Sequence, residues 1–251
     1  MEKTLYLQAS EKDISKYVIF SGDPGRVKQV VKHLEDVREI AVNREFNTFT
    51  GKYKGVDITV TSTGIGGPSA AIAIEEMYTC GMEVAVRLGT VMGLQDDLLG
   101  KFIIPNAVMR DDGTSKSYVR ESYPAVADFE LVSVMNKSVV KNNLKYVNKP
   151  MCSLDGFYVE MKESRLSKQM GRDLNKRINE VKNYNIVGID MESATLLTLT
   201  NLMGIKGCVV TMTTVLENLK DYLKGDVRTK AEEDLVKVVL DGIVILDSKE
   251  D

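Results

Sequence analysis

The sequence predicts an α/β fold, a three-layer α/β/α domain built on a central mixed, mostly parallel β-sheet, and three observations carry that prediction. Short apolar, β-rich runs alternate with segments of helical periodicity along almost the whole chain of 251 residues. One pair of runs is joined instead by a tight Lys-Gly turn, which predicts an antiparallel hairpin and makes the sheet mixed. Neither a linker nor an internal repeat divides the chain, so residues 1–251 read as a single domain.

Taken in order, "YVIFSG" is a strand that leads into a helix from about Arg26. "NTFTGKYKGVDITV" alternates through the turn as a hairpin, and the "VDITVTSTG" strand precedes a helix through "SAAIAIEEMYTCG". "EVAVRLG", "KFIIPNAVM" and "IKGCVVTMTT" read as further strands. Apolar residues at helical spacing mark "DFELVSVMNKSVVKNN", "MESATLLTLTNLMG" and "AEEDLVKVVLDGIVIL", the second stopping at Gly204 as helices often do. The spacing of Leu166, Met170, Leu174 and Ile178 predicts one amphipathic helix in an otherwise polar stretch.

Composition narrows the function. The formal net charge is −3 with both signs interspersed, so the chain lacks the footprint of a nucleic-acid or anionic-membrane binder, and small ligands are the expected partners. Cys80, Cys152 and Cys208 stand far apart in an odd count, which predicts reduced thiols in a cytoplasmic protein rather than a zinc site or a disulfide framework. No charged-then-apolar leader and no bilayer-length apolar run is seen, which disfavours export and membrane insertion. The one histidine, His33, lies in a helical pattern and reads as a surface residue. A Ser-His-Asp device or a multi-histidine metal site is therefore disfavoured.

Ligands of open α/β sheets collect at the carboxyl ends of strands, and three such ends carry unusual residues. In "SGDPGRV", Gly22 and Gly25 allow close approach, Asp23 can cap the next helix, and Arg26 sits in its first turn, where an anion is favoured; a solvated arginine beside a capped turn is the plainer alternative. In "VAVRLGTVMG", Arg87 directly follows an apolar strand and must meet either a carboxylate or a bound anion, with the Thr90 hydroxyl at the same edge. In "NIVGIDMESATLLTL", a helix expected to begin near Met191 and Glu192 places an acid that answers either the helix dipole or a ligand. Together they suit a dianion held by two arginines and hydroxyls held by one carboxylate, as in a sugar and a phosphate. No dinucleotide glycine fingerprint or P-loop lysine motif is present.

These residues resemble the hexameric nucleoside phosphorylases, most closely those of the uridine type. The matching stretches are "SGDPGRV", "NREFNTF", "STGIGGPSAAIAIEE", "RLGT", "YPAVADFE" and "DMESATLLTL", in family order. The resemblance implies the nucleoside phosphorylase fold and a pentosyltransferase that cleaves a nucleoside, uridine or a related pyrimidine nucleoside, with inorganic phosphate as co-substrate. It implies phosphate binding by Gly22, Arg26, Arg87 and Thr90, with Arg44 reaching the same anion from a neighbouring subunit. It implies ribose binding by Tyr6, Met191 and Glu192, with Arg87 and Glu192 central to catalysis, and base binding by Phe157. Glu45, Ile65 and Ser69 match a monovalent-cation site, so potassium is expected there, within a homo-hexamer arranged as a trimer of dimers. No other cofactor is implied.

Departures from the pattern gather where the base lies. An ungapped match puts Met161 and Glu163 where the uridine enzymes read the pyrimidine edge with a glutamine and an arginine, and a small gap offers Lys162 or Arg165 instead. Leu216 and Glu217 replace a further asparagine and arginine, and Thr214-Val215 stands where the purine enzymes place a serine-aspartate pair. Tyr6 replaces a histidine and Met92 a glycine. The alternatives are thus a purine or modified-nucleoside phosphorylase, or a catalytically silent relative that binds a nucleoside or sugar phosphate.

Overall fold

The computed structural model describes residues 3–217 and 219–250; residues 1, 2, 218 and 251 of the expected domain lie outside the described residues. The chain opens with β1 (Tyr17–Ser21), α1 (Pro24–Val31), β2 (Glu35–Asn43), β3 (Phe46–Tyr53), β4 (Val56–Ser62), α2 (Gly67–Thr79) and β5 (Val84–Gly93). It continues through β6 (Phe102–Ile103), β7 (Ala107–Asp111), α3 (Gly113–Tyr118), β8 (Ala125–Val126), α4 (Phe129–Lys141), β9 (Tyr146–Val147) and β10 (Met151–Leu154). It ends with α5 (Arg165–Gln169), α6 (Leu174–Asn183), β11 (Gly188–Asp190), α7 (Ser193–Met203), β12 (Lys206–Leu216) and α8 (Gly225–Glu250).

All twelve strands belong to one mixed sheet whose main path runs β2-β3-β4-β1-β5-β11-β10-β7-β8. β1 pairs in parallel with β4 and β5, β5 with β12, and β10 with β7 and β11. Antiparallel pairs lie at the β2–β3–β4 edge, at β7–β8, at β6–β12 and at the β5–β11 junction. The Lys-Gly turn forms as expected between β3 and β4, with Lys54 at φ 51° and Gly55 at φ 86°.

Each face of the sheet carries its own apolar core. Val86, Leu88 and Val210 look toward α1, α4 and α8, where Val134, Leu235 and Val239 are fully buried. Alternate residues Ala85, Val91 and Val209 look the other way, toward Ile74 and Met77 of α2 and Leu197 of α7. This period of two along β5 and β12 explains why both strands read as continuous apolar runs, since each face is covered. No helix among the described residues is long and apolar enough to cross a membrane, and all three cysteines are buried and free.

Three elements depart from expectation. The single amphipathic helix is instead α5 and α6, separated by Gly171 at φ 63°, and Leu166 and Met170 remain exposed while Ile178 is buried. "KFIIPNAVM" is two strands, β6 and β7, on either side of Pro105, which has no N–H to continue a ladder. The helix expected near Met191 starts at Ser193.

One buried polar cluster fastens the hairpin to α8. Asp241, 4% exposed, accepts hydrogen bonds from Lys54 Nζ (2.5 Å), Tyr53 Oη (3.1 Å) and Asn142 Nδ2 (3.4 Å). Burial opposes its charge, but these donors hold the carboxyl below its ordinary value. A carboxylate with a lowered folded pKa stabilises fully above its unfolded pKa of about 3.9 and loses that contribution as the pH falls through the folded value. Asp241→Ala should therefore cost about 1–3 kcal/mol in urea denaturation at pH 7. The same loss should be measured at pH 5; a penalty already gone there would refute this account.

Candidate active site

The site arises from a fork in the sheet. β12 pairs along one edge of β5 from Val84 to Gly93. On the other edge β1 pairs only as far as Arg87, and β11 takes over at Met92 and Gly93. Residues 88–91 face neither strand on that edge, and the gap opens as a cavity of about 630 Å³ at the carboxyl ends of β1 and β11, beside the middle of β5.

Arg87, 5% exposed, is the last residue of β5 paired to β1 and points into this gap. Its Nε donates to Asp190 Oδ2 (2.9 Å) and its Nη2 to Glu192 Oε2 (2.5 Å). Of the two partners expected for it, the structure thus supplies carboxylates. They outweigh the burial that opposes its charge and hold the guanidinium above its ordinary value. The two carboxylates are placed differently. Asp190, its side chain 2% exposed, also accepts from Ser153 Oγ (2.7 Å), Ser193 N (3.2 Å) and Ser193 Oγ (2.5 Å). It therefore takes over the capping of α7.

Glu192 is the N-cap residue of α7 but makes no side-chain cap to it. Its Oε1 accepts instead from the N–H of Gly66 at 2.6 Å. Gly66 holds φ 99°, a conformation L side chains rarely adopt, and this turn aims its N–H at the carboxylate. Burial, opposed by Arg87 and reinforced by Asp190, raises the Glu192 carboxyl above its ordinary value.

Arg26 reaches the cavity from the first turn of α1. Asp23 caps that helix, accepting from Gly25 N at 2.7 Å, and Pro24 begins it. Arg26 is 5% exposed, with Nη1 3.3 Å from Ser21 Oγ and Nη2 3.5 Å from Glu232 and 3.8 Å from Asp23. Its Nε is buried with no hydrogen-bond partner among the described residues. Burial lowers its pKa, and Arg87 contributes in the same direction. Both guanidinium groups line the cavity, and the orphaned Nε of Arg26 is a buried donor of the kind an anion satisfies.

Gly22, Thr90, Met191, Phe157 and Met161 line the same cavity, as the sequence predicts. Five other expected positions lie apart from it. Glu163 is a correction: its carboxylate is exposed and pairs with Lys168 at 2.8 Å, while Lys162 lines the wall instead. The cause is local, because residues 157–161 form a π-helical turn in which Lys162 N donates to Phe157 O at 2.8 Å. The wider turn changes which side chain faces inward. Arg44 and Tyr6 also lie outside the cavity and against each other, the guanidinium 5.3 Å from the Tyr6 ring. Ser69 Oγ donates to Glu45 Oε1 at 3.0 Å, while Ile65, 78% exposed, sits on the cavity rim. Asp190 is the functional residue that sequence reasoning passed over. Its position two residues before Glu192, at the end of an apolar run, was the available signal.

A buried carboxylate beside paired guanidinium groups, at the carboxyl ends of an α/β sheet, defines a site for an oxyanion and a hydroxyl-bearing ligand, the requirement of phosphate-dependent glycosyl transfer. The chain belongs to the Phosphorylase superfamily, which matches residues 16–243. It is 40% identical over 199 residues to the uridine phosphorylase of Thermococcus kodakarensis, covering 78% of this chain and 72% of that protein. It is 31% identical over 254 residues to the guanosine phosphorylase of Halorubrum lacusprofundi, covering 98% and 100%. The crystal structure of uridine phosphorylase from Vibrio fischeri superposes with a TM-score of 0.86 at 31% identity, covering 98% of each chain.

The two carboxylates should respond differently to substitution. Asp190→Ala strands Arg87 Nε and two serine hydroxyls and should cost about 3–5 kcal/mol in chemical denaturation. Glu192→Gln, whose side chain faces the cavity, should cost less than about 1.5 kcal/mol. Equal losses would show that Glu192 is as structural as Asp190.

Proposed function

We propose that the chain is a nucleoside phosphorylase, a pentosyltransferase that cleaves uridine or a related nucleoside with inorganic phosphate to give free base and ribose 1-phosphate. The observation that carries the reading is the meeting of Arg26, with its unsatisfied Nε, and the Arg87–Glu192 pair in one cavity. Phosphate lies against Gly22, Arg26, Arg87 and Thr90, and its negative charge offsets the oxocarbenium character that the ribose gains as the base departs. One phosphate oxygen bonds to C1′ as the C1′–N bond breaks and its electron pair leaves with the base. Overall, the proton of monohydrogen phosphate ends on the base. Glu192 accepts from the ribose hydroxyls and Met191 packs beside the sugar, fixing it for attack in line.

The purine alternative keeps specific support, including the full-length similarity to a protein named for guanosine and the structural likeness to a purine nucleoside phosphorylase. Phosphate-dependent release of uracil, hypoxanthine, guanine and adenine from their nucleosides tests both readings. Arg26→Ala should raise the KM for phosphate at least tenfold, as expected for loss of a charged hydrogen-bonding partner. Failure of phosphate to promote cleavage of any nucleoside would leave the silent relative as the reading.

The neighbouring subunit enters through Arg44 and Tyr6. Arg44 is exposed at φ 55°, stacked on the Tyr6 ring and remote from its own cavity, an arrangement suited to serving the phosphate and ribose of an adjacent copy within a hexamer built as a trimer of dimers. Arg44→Ala should weaken phosphate use by about tenfold or more while the subunit keeps its folded stability. An unchanged KM for phosphate would end the shared-site reading.

The side-chain oxygens of Glu45 and Ser69 already meet, which fits a hard monovalent cation such as potassium, with Ile65 beside them. Three buried, free thiols accord with a cytoplasmic enzyme.

A further inference from the structure

Three observations meet on the cavity wall furthest along the sheet from β1. This wall comes from the π-helical turn after β10 and from the end of β12; in the sheet β5 and β11 stand between β10 and β1, and β5 stands between β12 and β1. Phe157, Met161, Val215 and Leu219 make it apolar. No side-chain carboxylate or amide lines it among the described residues, since Asp190 and Glu192 are committed to Arg87 and Asp23 belongs to the α1 turn.

Lys162 is the one cation of that wall among the described residues. The acids nearest to it in sequence are both engaged elsewhere: Glu160 accepts from Gly156 N at 2.7 Å, and Glu163 pairs with Lys168. Glu217, just past β12, pairs with Lys182 at 2.7 Å. Lys162 is exposed at the cavity rim, and among the described residues its ammonium has only the Tyr158 ring near it, 6.0 Å from the centroid, at the outer limit of a cation–π contact.

Resting on the nucleoside phosphorylase reading, we propose that Lys162 contacts the base and selects for a ring carbonyl over a ring amino group, in pyrimidines and purines alike. An ammonium has three donors and no acceptor, so it hydrogen-bonds a carbonyl oxygen and repels the donor hydrogens of an exocyclic amine. The same contact strengthens during reaction. As the C1′–N bond breaks, its electron pair moves onto the base and is shared with the carbonyl oxygen, where the ammonium offsets the new charge. Because the remaining wall is apolar and shape-tolerant, ring size is a weaker criterion than the carbonyl.

The test compares kcat/KM for uridine and inosine with that for cytidine and adenosine, in the wild type, Lys162→Met and Lys162→Arg. The wild type should favour the carbonyl-bearing pair. Lys162→Met should lose about 10–100-fold on that pair and less than about threefold on the amino-bearing pair, with Lys162→Arg restoring most of the loss. A Met variant with undiminished activity, or with equal losses on all four nucleosides, would overturn the proposal while leaving phosphorolysis intact. If the wild type cleaves none of them, the phosphorylase reading fails instead. Calorimetric binding of free uracil and cytosine to the wild type and Lys162→Met then decides the role of Lys162: a uracil preference that vanishes in the variant supports it, and an unchanged preference overturns it.

Discussion

Burying the guanidinium of Arg87, where β1 parts from β5, is the constraint on which the site depends. An unpaired charge at that depth costs several kcal/mol, so the fold must bring it a counter-charge. Asp190 supplies one from the end of β11, and its other hydrogen bonds reach Ser153 on β10 and Ser193 at the start of α7. One ionic cluster thereby ties together β5, β10, β11 and α7 at the place where the sheet forks. The cavity is open because β1 and β11 part there, and it keeps its shape because Asp190 holds the strand ends in register.

Glu192 does something different with the same arginine. Asp190 grips Arg87 through Nε and is held by three further hydrogen bonds from Ser153 and Ser193, whereas Glu192 meets Nη2 and is steadied by a backbone N–H at Gly66. The fixed partner settles the position of the guanidinium, leaving the other carboxylate available to a ligand. Under the proposed reaction, a phosphate at Arg87 and hydroxyls at Glu192 each draw on an interaction that the two residues make with each other in the free site. Binding of one substrate therefore changes the environment of the other through a single 2.5 Å contact. Arg26 also lines the cavity, with a buried donor that no group among the described residues satisfies.

Much of this was legible from the chain because the anion and sugar ends rest on short-range rules. A strand leaving through Ser21-Gly22-Asp23-Pro24 into a helix specifies a cap, an N1 proline and an arginine in the first turn, and the structure builds each. An arginine closing an apolar strand announces an ionic partner, although the choice between protein and ligand was hidden until β11 was seen beside it. Asp190 was missed because its role depends on a β5–β11 pairing between residues about a hundred positions apart, which periodicity does not encode. The split of the predicted helix into α5 and α6 turned on one glycine, Gly171, adopting a positive φ.

The base end resisted for another reason. Reading side chains from a motif assumes a fixed number of residues per turn, and the π-helical turn at residues 157–161 breaks that assumption where the base-facing residues follow. Glu163 and Lys162 are both exposed, but Glu163 pairs with Lys168 away from the cavity while Lys162 borders it, so the charge at the cavity rim is the reverse of the one counted from the ungapped match. An apolar wall with a single ammonium cannot discriminate among bases as a matched set of donors and acceptors does, because a shape contact is worth only a kcal/mol or so per methylene. Under the proposed reaction, strict selection in this site therefore belongs to the anion and the pentose, which would meet the buried, charged groups of Arg26, Arg87 and Glu192. The base is left to whichever few polar contacts the wall retains.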